Sequence, residues 1–293
     1  MKPMRYLGLL LFSAVLSAQT DVRDLLERKT LDRLDTLNRS VDGALGVAAI
    51  DLETGRTFTY HADGVFPTAS AIKVPVMIEV FRQARAGGAA LGSEIQVTPK
   101  DFLDGSDRLK LVLRNGAALL TVRQVVEAMI EVSDNTAANR LIDLAGMDRV
   151  NRTLDELGCP NTRLRRKMMD WADTERRENI STPLEMVRIM ESIYRGKAAP
   201  QADCAEMLAI MKRVEADFRR AVPSSVEVAA KPGEMPGVRC EAGIVFLPKR
   251  PFALAVMSTF IADYKNPVPE AAAIMYGMFE HLAHSNRYGH RLE

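Results

Sequence analysis

The chain is poor in the residues that build metal and redox sites. Its 293 residues hold three cysteines and four histidines. Cys159, Cys204 and Cys240 form no C-x-x-C pair, which leaves a zinc site or a redox dithiol without support. One disulfide plus a free thiol stays open. His281 and His284 lie one turn apart near the C-terminus, with no third ligand close in sequence. They read as an exposed helix face, and no metal or cofactor is expected. An excess of either charge is lacking too. At a net charge of +1 the chain has no field to recruit nucleic acid. The local runs "TRLRRK" (162–167) and "DTERRE" (173–178) balance each other and read as a solvated loop. There is no repeat and no low-complexity tract. Beyond the first twenty residues no stretch is apolar enough to span a bilayer.

Those first residues form a separate unit. Lys2 and Arg5 precede an apolar run from Tyr6 to Val15, and small residues end at Ala18. This is the pattern of a signal peptide, so we expect residues 1–18 to be a leader and the mature protein to be exported, periplasmic or secreted. The rest, in a chain that is 47% hydrophobic, suits one large domain or two closely packed ones.

Along the chain, Leu31, Leu34 and Leu37 mark an amphipathic helix over 21–40. "LGVAAIDLETGRTFTYHAD" reads as a hairpin turning at Gly55. Helical signals dominate from about 68 to 213. "ASAIKVPVMIEVFRQARAGG", "TVRQVVEAMIEV", "NTAANRLIDLAG" and "TPLEMVRIMESIYRG" are the clearest. "SVEVAAK", "EAGIVFLP" and "FALAVMSTFI" then read as strands, and a closing helix spans roughly 267–284. Strands at both ends point to one antiparallel sheet, interrupted by a helical insertion. The expected organisation is an α/β domain from 19–67 and 214–293 and an all-helical domain over 68–213.

Three short elements could carry chemistry. Ser70 and Lys73 stand three apart at a helix start, so they share a face. A serine needs a base to act as a nucleophile, and a buried lysine can serve. A lone Ser-x-x-Lys occurs about once by chance in such a chain and is weak evidence. Ser133-Asp134-Asn135 lies between two helices, where helix capping alone would explain it. Lys231-Pro232-Gly233 lies at the end of an expected strand, where it reads equally as a strand entering a turn.

In this order and at these separations, "SAIK", "SDNTAAN" and "KPG" resemble the signature of class A β-lactamases and penicillin-binding proteins, the penicillin-recognising serine hydrolases. "TRLRR" and "STP" resemble the flanks of the loop bordering that family's active site. The resemblance covers nearly all of the mature chain. It implies a β-lactamase/transpeptidase-like fold: an antiparallel sheet of about five strands with flanking helices and an inserted helical domain. It also implies roles. Ser70 would be acylated, Lys73 would take its proton, and Ser133 would pass a proton to the leaving nitrogen. Lys231 would place a positive charge near Ser133 and a substrate carboxylate. The N–H groups of Ser70 and Glu234 would form the oxyanion hole. Asn135, Gly233 and Arg239 would contact substrate.

Two departures qualify this. Pro232 replaces the hydroxyl residue that follows the lysine in the family, and it offers neither hydroxyl nor N–H. The family's deacylating Glu is also missing. Counted forward from Arg166 its place is Met168; counted back from "STP" it falls near Arg166. The nearest acids are Asp170, Asp173 and Glu175, and Asp170 is the candidate base. The reading that results is an exported, monomeric serine hydrolase opening β-lactams. Its alternatives are a penicillin-binding, peptidase- or esterase-like acyl enzyme that deacylates slowly, and a non-catalytic peptidoglycan-binding relative. All three take a small-molecule ligand.

Overall fold

The computed structural model describes residues 21–104, 107–113, 116–172 and 174–292. The expected leader and Asp173 lie outside them. Helix α1 (Val22–Ser40) starts where the Asp21 carboxylate accepts the N–H of Arg23. The hairpin follows as β1 (Ala44–Asp51) and β2 (Thr57–Tyr60). Its turn needs Gly55, whose φ is 77°. The two-residue strand β3 (Phe66–Pro67) leads into a 3₁₀ turn, Ala69–Ile72, and then α2 (Lys73–Arg85).

The helical stretch continues through β4 (Glu94–Val97), α3 (Asp107–Val112) and β5 (Ala118–Thr121). A reciprocal cap of Thr121 and Gln124 starts α4 (Val122–Glu131). Helices α5 (Asn135–Ala145) and α6 (Met147–Glu156) follow, then α7 (Thr174–Arg177) and β6 (Ile180–Ser181), which pairs with β3. Thr182 caps α8 (Pro183–Tyr194), with Pro183 in its first turn, and α9 (Gln201–Met211) succeeds it. The chain closes with β7 (Val228–Met235), β8 (Val238–Val245), β9 (Phe252–Thr259) and α10 (Val268–Ala283).

The expected fold is present. Strands from both ends of the chain form one antiparallel sheet in the order β2-β1-β9-β8-β7. Both of its faces are covered. Leu45, Val47 and Ala49 of β1 join an apolar cluster with α1 and α10, whereas Ala48 and Ile50 join one with α2, α4, α5 and α8. Double coverage is why β1 reads as an unbroken apolar run. The second cluster runs from the sheet into the helices, so the two regions share a core. Among the described residues no helix is long and apolar enough to cross a membrane.

One expectation needs correcting. Lys231 does not end its strand; β7 continues through Pro232 and Gly233 to Met235. Pro232 is tolerated because β7 is the edge of the sheet, where a missing N–H costs no ladder bond on the open side.

Candidate active site

The 3₁₀ turn Ala69–Ile72 holds Ser70 at the mouth of α2. Ala69 has φ 43°, a left-handed conformation that a non-glycine residue adopts only under constraint. The constraint is visible. Thr68 donates its N–H (2.9 Å) and its hydroxyl (3.1 Å) to the carbonyl of Asn179. Its own carbonyl accepts the Ala71 N–H at 2.9 Å and the Cys240 thiol at 2.8 Å. Gly233 on β7 lies against the same turn. A Cβ there would stand 2.5 Å from the Thr68 carbonyl oxygen and 2.6 Å from Cys240 Sγ. Only glycine lets the strand come this close.

Lys73 begins α2 and is fully buried. Its Nζ donates to the Ser133 carbonyl (2.6 Å), to Ser133 Oγ (3.1 Å) and to Asn135 Oδ1 (2.9 Å). Burial, and then the charge of Lys231, hold its pKa well below the usual lysine value; Asp134 opposes them. Lys231 is buried as well, and burial lowers its pKa to about 8. Its Nζ donates to the Pro232 carbonyl. The Ser70 hydroxyl has no hydrogen-bond partner among the described residues.

The Ser-Asp-Asn triplet divides its work. Asp134 caps α5, accepting the N–H groups of Ala137 and Leu109. Ser133, at φ 56°, and Asn135 turn to Lys73 instead. Capping therefore explains the middle residue and not its neighbours.

A cleft of about 190 Å³ opens over Ser70. Asn135 and Glu234 line it with Ser70; its loop side is Arg166, Met168, Met169, Trp171 and Asn179. Met235 and Pro236 complete the rim. The loop is not the solvated segment its charges suggest. Arg166 is buried, pairs with Glu178 through Nε and Nη2 (3.1 and 2.7 Å), and its guanidinium lies 4.8 Å over the Trp171 ring. Buried Asn179 accepts the N–H groups of Arg165 and Arg166 and donates to the Arg166 carbonyl. Glu178, Asn179, Trp171, Met235 and Pro236 escaped the sequence reading. No local signal marks the buried pair, because Glu178 stands twelve residues from Arg166.

Asp170 is occupied within its own loop. It accepts the Ala172 N–H, stands 3.7 Å from Arg177, and does not line the cleft. Met168, fixed by two hydrogen bonds between its backbone and the Asn139 side chain, faces the cleft instead. Arg239 is likewise spent. It donates to the carbonyls of Met235, Val238 and Asp263 and pairs with Glu234 at 2.9 Å. Gly233 shapes the Ser70 turn from behind. All three cysteines are buried and unpaired, so no disulfide forms. Among the described residues no group of three or more His, Cys, Asp or Glu side chains is placed to hold a metal.

A family model described as the beta-lactamase enzyme family matches residues 28–275. A beta-lactamase of Streptomyces fradiae is 32% identical over 237 residues, covering 78% of this chain and 77% of that protein. Among solved structures, a class A beta-lactamase from Mycobacterium abscessus superposes with a TM-score of 0.79 at 25% identity, covering 86% of this chain and 99% of that one. A beta-lactamase from Sphaerobacter thermophilus gives a TM-score of 0.77 at 27% identity, with 87% and 96% covered.

Proposed function

This chain belongs to the beta-lactamase enzyme family, and from that premise we propose that it is an exported, monomeric serine hydrolase that opens a β-lactam amide through an acyl-Ser70 intermediate. The observation that carries the reading is the hydrogen bonding of Lys73. A buried amine with a depressed pKa, three residues from a free serine hydroxyl, is suited to take that hydroxyl's proton. Its bond to Ser133 Oγ gives the proton a route to the leaving nitrogen. Lys231 keeps its charge at neutral pH and holds the pKa of Lys73 down. The N–H groups of Ser70 and Glu234 receive the developing oxyanion, and Asn135 orients the substrate amide while fixing Lys73.

The second half of the cycle is where a second reading gains support. Met168 faces the cleft where a water-activating carboxylate is needed, and Asp170 is held by its own loop. A positioned base is worth about 10²–10⁴-fold. Its loss favours a penicillin-binding, peptidase- or esterase-like acyl enzyme whose β-lactam adduct clears slowly.

Intact mass measured over time with benzylpenicillin separates these. The chain should gain one penicillin equivalent, and Ser70→Ala should gain none. A wild-type adduct that persists, together with one that clears about 10²-fold faster in Met168→Glu, is the outcome expected of the slow reading. A wild-type adduct that clears within seconds as product accumulates makes this a working β-lactamase. No adduct on wild type overturns the acyl-serine mechanism.

A further inference from the structure

We infer that this active site is built for acyl donors that are uncharged on the leaving-group side and apolar on the acyl side. The inference rests on the acyl-Ser70 reading. It comes from an inventory of what the cleft presents to a ligand.

Among the described residues the cations around the cleft are already engaged. The Arg239 guanidinium is 12% exposed, donates to three backbone carbonyls and pairs with Glu234. Arg166 is buried on Glu178 and under Trp171. Lys231 is buried and donates to the Pro232 carbonyl. Pro232 itself supplies no donor. The charged side chain that does reach solvent is Glu234, 70% exposed and lining the cleft beside Ser70. An anion arriving on that side loses its hydration and meets a carboxylate that Arg239 only partly offsets, and among the described residues no cationic side chain turns to it in exchange.

The loop side offers a ligand mostly apolar surface, because the Arg166 and Asn179 side chains in it are bonded within the loop. Met168 and Met169 form the wall and Trp171, half exposed, stands at the mouth. Met235 and Pro236 face them from the β7–β8 turn. Methionines repack around flexible chains, and a half-exposed tryptophan gives an apolar plane for them to lie on. An aliphatic or aryl acyl group gains from burial here, whereas a polar one finds Asn135 as its partner. The reaction is an ordinary acyl transfer. Ser70 Oγ bonds to the acyl carbon, the bond to the leaving atom breaks, and the Ser70 proton passes through Lys73 and Ser133 to that atom. Water later releases the free acid.

The test compares matched probes on the mature chain. Acylation of Ser70 by benzylpenicillin and by its methyl ester is followed by intact mass, at two salt concentrations. The ester should react at least as fast as the acid. Raising the salt, or Glu234→Gln, should raise the acid-to-ester ratio about two- to fivefold, the scale of one exposed like-charge contact. In parallel, p-nitrophenyl hexanoate should exceed the acetate about tenfold or more in kcat/KM, because four added methylenes find an apolar wall. A free acid that acylates faster than its ester, or an acetate turned over as fast as the hexanoate, overturns this inference and leaves the acyl-serine mechanism standing. Failure of every probe to label Ser70 overturns both.

Discussion

Lys231 carries a burden that its position explains. It is buried in the sheet with a carbonyl as its hydrogen-bond partner, and burial lowers its pKa from 10.5 to about 8. Between pH 8 and 10.5 the unfolded chain holds a proton that the folded one has released, so stability rises with pH across that window. Below pH 8 the full cost of burying the charge is present. Lys231→Met should therefore raise stability by about 3 kcal/mol at pH 7, with the gain shrinking toward pH 10.5, as denaturant titrations at several pH values would read. The same change removes the second-largest influence on Lys73. Lys73 must be neutral to accept a proton, so acylation rises as pH climbs through its depressed pKa. In the variant this acid limb should move to higher pH, whatever happens to the maximum rate. A limb that stays in place would separate Lys231 from the tuning of Lys73. Glu241, which burial pushes up to about 8 and which accepts the N–H groups of Asp217 and Phe218, works against the burial of Lys231, because its carboxylate favours the charged amine.

At the scale of elements, the approach of β7 to the Ser70 turn is the tightest fit near the chemistry. Gly233→Ala would drive a methyl against Cys240 Sγ and the Thr68 backbone carbonyl, and the carbonyl cannot withdraw without moving the turn. The expected cost is about 1–3 kcal/mol, with a greater loss in acylation rate than in Tm, because the displaced element is the one carrying Ser70. Equal acylation by Gly233→Ala and wild type would mean the turn does not depend on the strand. Legibility in sequence follows from the kind of signal. Helix starts at Thr121 and Thr182 and the turn at Gly55 were readable because the cause is local. The end of β7 was not: Pro232 looks like a stop until the strand is known to be an edge. The Arg166 loop was misjudged for the same reason. Its charges look solvated, and only the partner twelve residues on makes them buried.

For the whole molecule, one apolar cluster joins the sheet to α2, α4, α5 and α8, so sheet and helices are expected to unfold as one. Heating should give a single transition, with near-ultraviolet signal, helix content and Ser70 labelling lost together. Two separated transitions would show that the helical part holds itself up. The layout was legible because strand-like runs cluster at both termini and the three motifs fall in order along the chain. The methionine wall and the spent Arg239 were not, since they depend on which side chains the loop and the β7–β8 turn bring face to face. The sheet order has one more consequence, in time rather than in space. Residue 44 pairs with residue 259, and β7 is joined to β1 only through β8 and β9. On the ribosome, Ser70, Lys73 and Ser133 are all made long before the strands that clamp them. The nascent chain carries its chemistry unarmed until nearly its last residues emerge, and a truncation ahead of β9 leaves every catalytic side chain present but the strands that carry Lys231 unjoined to β1.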